Sequence, residues 1–108
     1  MIGLGKWSVY VNMMIYKGDL GVVIADNNGE YQVDFELPPA LASKVKITTH
    51  DIKAEGNKLS GEGAVDMGKG RKIKVAAEVV IDGDVMTGTL TIPLLKRSIP
   101  LENGHRVD

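Results

Sequence analysis

Apolar and polar residues alternate with a period of two over most of the chain, most clearly from Arg71 to Ile92. Apolar residues occupy every second position from Ile73 to Ile81, and the alternation resumes at Val85 after the sequence Asp82-Gly83-Asp84. This spacing, with β-branched residues around an Asp-Gly turn, predicts a β-hairpin. We therefore expect the rest of the chain to form more hairpins beside this one.

Similar patterns predict five strands upstream of this hairpin and one after it. The upstream strands are expected over 5–16, 20–25, 31–37, 45–54 and 59–65, and the closing strand over 94–101. Within the fourth strand the apolar parity changes, which indicates a β-bulge somewhere in 48–51. The segment 39–43 is expected to form either one helical turn or an extended linker. Residues 102–108 are expected to be a frayed tail.

Strands joined by short turns predict an all-β fold, an antiparallel up-and-down meander. A meander of about eight strands removes its unpaired edges best by closing into a small barrel, and a flattened sandwich is the alternative. The length of 108 residues suits a single domain over 1–108. Thirteen glycines suit a chain of tight turns and coiled strands.

Composition narrows the classes of function. A net charge of −1 argues against a nucleic-acid partner, and the lack of cysteine excludes disulfides and thiolate metal sites. No apolar run approaches the ~20 residues of a membrane-spanning helix. The first residues lack the pattern of a signal peptide, so we expect a cytoplasmic protein.

The sequence Gly5-Lys6-Trp7 at the head of the first strand resembles the Gly-x-Trp signature of lipocalins and the wider calycin group. Together with the element Gly83 to Gly88 and the meander, it is similar to small bacterial lipocalin-like domains of unassigned function. This resemblance implies that Trp7 plugs one end of the barrel and that an arginine of the last strand packs over it. Arg97 fits that place first, and Arg106 second.

The predicted barrel is wide enough either to be filled by side chains or to hold one small ligand. Inward-pointing Gly61, Gly63 and Gly88 favour a pocket, although they would equally allow the strands to coil sharply. The pocket lining is expected to include Val11, Met13, Phe35, Ile47 and Met86, which suits a small apolar ligand.

Polar candidates are few. His50 and Asp51 interrupt an apolar strand near the predicted bulge, so His50 is a candidate ligand-binding residue, or both are solvated on the surface. The basic turn 69–72 could cradle an anionic head group at the mouth of the barrel, or simply be solvated. No catalytic motif, metal-ligand pattern or cofactor-binding motif is recognised, so no cofactor is expected.

Several apolar residues occupy the alternate strand positions whose side chains are expected to face outward. They would make an exposed patch suited to a homodimer. They are Tyr10, Met14, Tyr16, Val23, Ala25, Ala76 and Val80. Our first functional hypothesis is a non-catalytic protein that binds a small apolar ligand inside the barrel. The second is a structural or interaction protein with a filled barrel, in the form of a monomer or a homodimer. An enzyme that uses His50 and Asp51 is third.

Overall fold

The structure is a computed structural model that describes residues 2–12 and 16–108. About 71% of this part of the chain is β-strand, and there are two very short helical segments. The strands are β1 Gly5–Asn12, β2 Lys17–Asn27, β3 Glu30–Glu36, β4 Lys46–Glu55, β5 Lys58–Asp66, β6 Lys72–Asp82, β7 Val85–Ile92 and β8 Arg97–Arg106. The helical segments are α1 Pro39–Ala42 and a 3₁₀ helix Pro93–Leu95.

The strands form one antiparallel sheet in the order β3-β2-β1-β8-β7-β6-β5-β4. Chain neighbours are therefore sheet neighbours except for β3 and β4, which form the two edges of the sheet, and β1 pairs with β8 as well as with β2. The sheet curls until β3 approaches β4, where Thr49 Oγ1 donates a hydrogen bond to the Val33 carbonyl oxygen at 3.1 Å. The predicted all-β, up-and-down barrel of about eight strands is confirmed, and the barrel is nearly closed.

The predicted central hairpin is confirmed as β6 and β7, with Asp82 opposite Val85 across the turn. Gly83 adopts a positive φ of 61°, a conformation that glycine reaches without steric cost. The β2–β3 turn also contains residues with positive φ, because Asn28 and Gly29 have φ values of 55° and 90°.

The β4 bulge lies where the register between β4 and β5 shifts, between His50 and Lys53. Asp51 has a φ of 52° and is part of it, so the bulge begins inside the predicted range. The segment after β3 forms the predicted helical turn, which is α1.

Two predicted strand boundaries need correction. The first strand was expected to reach Tyr16, but β1 ends at Asn12, and residues 13–15 lie outside the described part of the chain. The predicted frayed tail is mostly strand, because β8 continues to Arg106 and pairs with both β1 and β7.

The core lies inside the barrel, where inward residues of β1 and β2 meet those of the opposite wall. Trp7 has no exposed surface, and Val9 and Val11 follow it at every second position along β1. The other buried apolar residues are Leu20, Val22, Ile24, Leu41, Val45, Leu59, Ile81, Met86 and Ile99. Within residues 2–12 and 16–108, no helix has the length and apolar character needed to cross a membrane.

Candidate functional site: the barrel interior and its two ends

One end of the barrel is closed by Trp7. Its indole Nε1 donates a buried hydrogen bond of 2.9 Å to the Gly3 carbonyl oxygen, so the N-terminal segment turns across this end. Nearby, the Tyr31 hydroxyl accepts a hydrogen bond from the Ile2 amide at 2.9 Å and donates one to the Ile2 carbonyl oxygen at 3.0 Å. These bonds seal the barrel at this end.

Arg106 is the arginine that packs over the tryptophan, with its guanidinium carbon 4.4 Å from the Trp7 ring centroid. Its Nη1 donates to the Leu4 carbonyl oxygen at 2.6 Å, and its Nε donates to Asp84 Oδ1 at 3.1 Å. The first choice, Arg97, is corrected. It is exposed at the first residue of β8, which lies at the opposite end of the barrel from Trp7.

The barrel interior contains a cavity of about 570 Å³ that opens at the end opposite Trp7. Its walls are mostly apolar side chains from the strands and from α1. Four of the predicted lining residues, Val11, Phe35, Ile47 and Met86, lie on its wall. Met13 lies outside the described residues. Whether the four residues contact a ligand stays a prediction.

Of the inward glycines, Gly61 and Gly63 line the cavity, whereas Gly88 does not. A Cβ atom at Gly63 would collide with the Thr48 carbonyl oxygen, and one at Gly88 would collide with the Glu78 carbonyl oxygen. Glycine therefore allows neighbouring strands to approach closely at these positions.

The open end is surrounded by exposed cations, because each strand that starts there starts with a lysine or arginine. These cations and those in the adjoining loops are Lys17, Lys44, Lys46, Lys69, Arg71, Lys72, Lys96 and Arg97. Arg71 and Arg97 also line the cavity. Leu94 and Leu95, in the 3₁₀ helix at this end, are 75% and 53% exposed. The sequence had suggested only the 69–72 turn as an anion site.

His50 does not line the cavity, and its role as a ligand-binding residue stays a prediction. The alternation of β4 explains this placement, because the preceding Thr49 faces the cavity and His50 therefore faces outward. His50 Nδ1 is 2.9 Å from Asp51 Oδ2 and 4.0 Å from Glu62 Oε2, on the neighbouring strand. Donor atoms of these three residues lie within 4.8 Å of one another. All three are exposed, which is typical of a solvated surface cluster.

The outer apolar residues do not form one contiguous patch. Tyr10 lies on β1, and Val23 and Ala25 on β2, whereas Ala76 and Val80 lie on β6, beyond β8 and β7 in the sheet order. Tyr16 packs against the core instead of facing outward, and Met14 lies outside the described residues.

Comparison of the chain with protein-family models, curated proteins and solved structures finds no match. The lipocalin resemblance therefore rests on the Gly5-Lys6-Trp7 sequence, the Gly83 to Gly88 element and the barrel itself. The strand order establishes that the chain forms a barrel. Membership of the lipocalin or calycin group stays a prediction.

Proposed function

We propose that this protein is a lipocalin-like, non-catalytic binding protein that holds a small apolar molecule inside its barrel. The observation that supports this proposal is the open cavity of about 570 Å³ with mostly apolar walls. Small-molecule sites in proteins are concave and mostly apolar, with volumes of roughly 300–1,000 Å³. The cytoplasmic location expected from the sequence belongs to the same proposal.

The end opposite Trp7 gives the ligand a route of access. The closed end is blocked by Trp7, Arg106 and the N-terminal segment. At the open end, Leu41 of α1 and the nearby Val45 turn inward and contribute to the cavity wall. A ligand would therefore enter past α1 and lie with its apolar surface against β1, β2 and β3.

Native mass spectrometry of the freshly purified protein, compared with the denatured mass, tests for a retained ligand. We expect a non-covalent excess of roughly a few hundred daltons, the mass of a molecule that fits such a cavity. A bare mass would be followed by titration with the neutral apolar dye N-phenyl-1-naphthylamine, whose fluorescence rises in apolar surroundings. A bare mass together with no dye binding would overturn the proposal.

A matched pair of variants places the binding inside the barrel. Ala77 lines the cavity, whereas its neighbour Ala76 lies on the outer parity of the same strand. Ala77→Phe should fill part of the cavity and weaken dye binding by at least roughly tenfold, as expected for displacing ligand from an apolar site. Ala76→Phe adds the same ring outside and should leave the affinity unchanged. Equal effects of the two variants would contradict binding in the cavity.

The alternative function is that of a structural or interaction protein, as a monomer or homodimer. A clean dimer mass without ligand or dye binding would favour it. Substitution of exposed Val80 by Asp would then test whether the outer face of β6 forms the dimer interface.

A further inference from the structure

Cations mark the start of every strand that begins at the open end. These residues are Lys17 of β2, Lys46 of β4, Lys72 of β6 and Arg97 of β8. Strands that begin at the closed end show no such rule, since they start with Gly5, Glu30, Lys58 and Val85. The loops at the open end add Lys44, Lys69, Arg71 and Lys96. An up-and-down barrel therefore collects these charges into a ring around the mouth of the cavity.

No cation of this ring forms an ion pair in the described part of the chain, although Asp66 is the cross-strand partner of both Lys46 and Lys72. In the described part of the chain, the cations that form ion pairs are Lys6, Lys58, Arg106 and His50, none of which belongs to the ring. Three acids lie towards this end. Glu36 is paired with Lys6, Asp66 accepts a hydrogen bond from the Gly68 amide, and Asp19 is exposed near the start of β2.

Acidic residues concentrate at the opposite end. Its turns and the C-terminal segment carry Asp26, Glu30, Glu55, Asp82, Asp84 and Asp108. The net charge of −1 is therefore unevenly distributed: the open end is basic, whereas at the closed end the six acids outnumber the cations Lys6, Lys53, Lys58 and Arg106. Such a charge distribution orients the molecule in the field of a negatively charged surface.

Apolar side chains stand among these cations. Leu94 and Leu95 are among the most exposed large apolar residues, and Lys96 and Arg97 follow them directly. Lys96 has a left-handed backbone conformation with a φ of 51°, which ends the 3₁₀ helix at the start of β8. Exposed leucines beside lysine and arginine suit the interface of a bilayer, where apolar side chains enter the acyl region and cations contact phosphates.

We infer that the open end docks onto an anionic lipid bilayer. Leu94 and Leu95 insert into the interface, while the cation ring contacts the lipid phosphates. In this orientation the cavity mouth faces the bilayer and the acidic closed end faces away from it. A lipid surface fits better than a nucleic acid because the leucines would gain nothing from contact with a phosphate backbone. The inference does not depend on the proposed ligand.

Flotation with vesicles tests this inference on the full chain. Neutral phosphatidylcholine vesicles are compared with vesicles that contain about 30 mole per cent phosphatidylglycerol, at low and high salt. We expect binding to the anionic vesicles only, and a loss of roughly tenfold or more when salt is raised from about 0.1 M to about 0.5 M. Circular dichroism of each variant confirms that it is folded.

Two variants at the open end have matched controls at the other end. L94S/L95S should weaken binding to anionic vesicles by roughly tenfold, whereas V85S, which changes an exposed apolar residue at the closed end, should not. K96Q/R97Q should weaken binding by a similar factor, whereas K53Q, on the closed-end side of β4, should not.

Four results with vesicles would overturn the inference. They are no binding to anionic vesicles, equal binding to neutral vesicles, binding unaffected by L94S/L95S, and equal weakening by the open-end variants and their controls. Double-stranded DNA could also compete with the anionic vesicles for the protein. If L94S/L95S left that competition unchanged, the result would overturn the inference in favour of a general polyanion site. Ala77→Phe should still bind vesicles, so failure of the proposed ligand site and failure of docking are distinguishable.

Discussion

Replacing Arg106 by alanine should destabilise the fold by about 3 kcal/mol. Removal of the guanidinium from the Trp7 ring, 4.4 Å away, costs about 1 kcal/mol. Loss of the charged hydrogen bond to the Leu4 carbonyl oxygen costs about 1.5–3 kcal/mol. The Asp84 pair adds less than about 1 kcal/mol, because the Asp84 side chain is 82% exposed. Typical domains have a free energy of unfolding of only about 5–15 kcal/mol, so the loss should be easy to detect.

Urea denaturation measures this change. Trp7 is the only tryptophan and is fully buried, so its fluorescence reports on unfolding, and far-UV circular dichroism provides a second probe that does not depend on the ring's surroundings. With a urea m-value of about 2 kcal/mol/M, the midpoint should fall by about 1.5 M. The melting temperature should fall by about 12–20 °C.

Arg97→Ala is the matched control, because Arg97 begins the strand in which Arg106 lies and is exposed at the other end of the barrel. It should change the free energy of unfolding by no more than about 0.5 kcal/mol. Arg106→Lys keeps the charge but loses the planar fork, so an intermediate loss is expected. A cost for Arg97→Ala equal to that of Arg106→Ala would refute the reasoning, as would a cost below about 0.5 kcal/mol for Arg106→Ala.

Four further substitutions test three individual contacts. Gly63→Ala places a Cβ against backbone and should destabilise by about 1–3 kcal/mol in urea, whereas Gly61→Ala meets only a side chain at 3.1 Å and should cost less; equal costs would contradict this explanation. The Glu78 carboxylate, hydrogen-bonded to Lys58 at 2.8 Å, raises the pKa of Lys58 above its ordinary value of 10.5. Glu78→Gln should therefore lower that pKa in an NMR titration. In the unsubstituted protein, while Glu78 is ionised, the pair should contribute fully to stability up to about pH 10.5, and this contribution should decline as the pH rises through the raised pKa of Lys58. Tyr31→Phe removes the hydroxyl that binds the N-terminal segment and should cost about 1 kcal/mol in urea; an unchanged midpoint would show that this hydroxyl does not hold the segment.

The fold was predictable because its signals are local. The central hairpin shows regular alternation on both sides of an Asp-Gly turn, and residues 28–29 supply the two positive φ values of the next clearest turn. Each signal involves residues close in sequence, and short turns leave few ways to order the strands. The barrel followed from the need to remove unpaired edges.

The end of β8 was missed because its inward positions lack apolar residues. Gly104 is buried, and a Cβ there would collide with the Met86 carbonyl oxygen, so glycine occupies a position where a strand pattern would show a large side chain. Asn103 has a φ of 51°, and the register with β7 shifts between Met86 and Gly88. The last part of β8 therefore lacks the alternation of apolar and polar residues by which a strand is recognised in a sequence. The choice of Arg97 over Arg106 followed from that error.

The placement of His50 could have been predicted. Val45 and Ile47 face the cavity, so the alternation assigns Thr49 to the same face and His50 to the other. The bulge changes parity only after His50, because the register shift lies between His50 and Lys53. The predicted range of 48–51 for the bulge therefore did not decide on which side of the strand His50 lies.

Stability does not explain the charges at the open end. At the closed end, side chains link residues far apart in the chain, such as Arg106 to Leu4 and Asp108 to the Lys6 amide. The cations around the cavity mouth form no such links within the described part of the chain, and like charges closer than about 10 Å repel one another in physiological salt. Their concentration there opposes folding slightly, so a partner outside the chain is the more economical explanation. A negatively charged surface in contact with the open end would turn that repulsion into attraction.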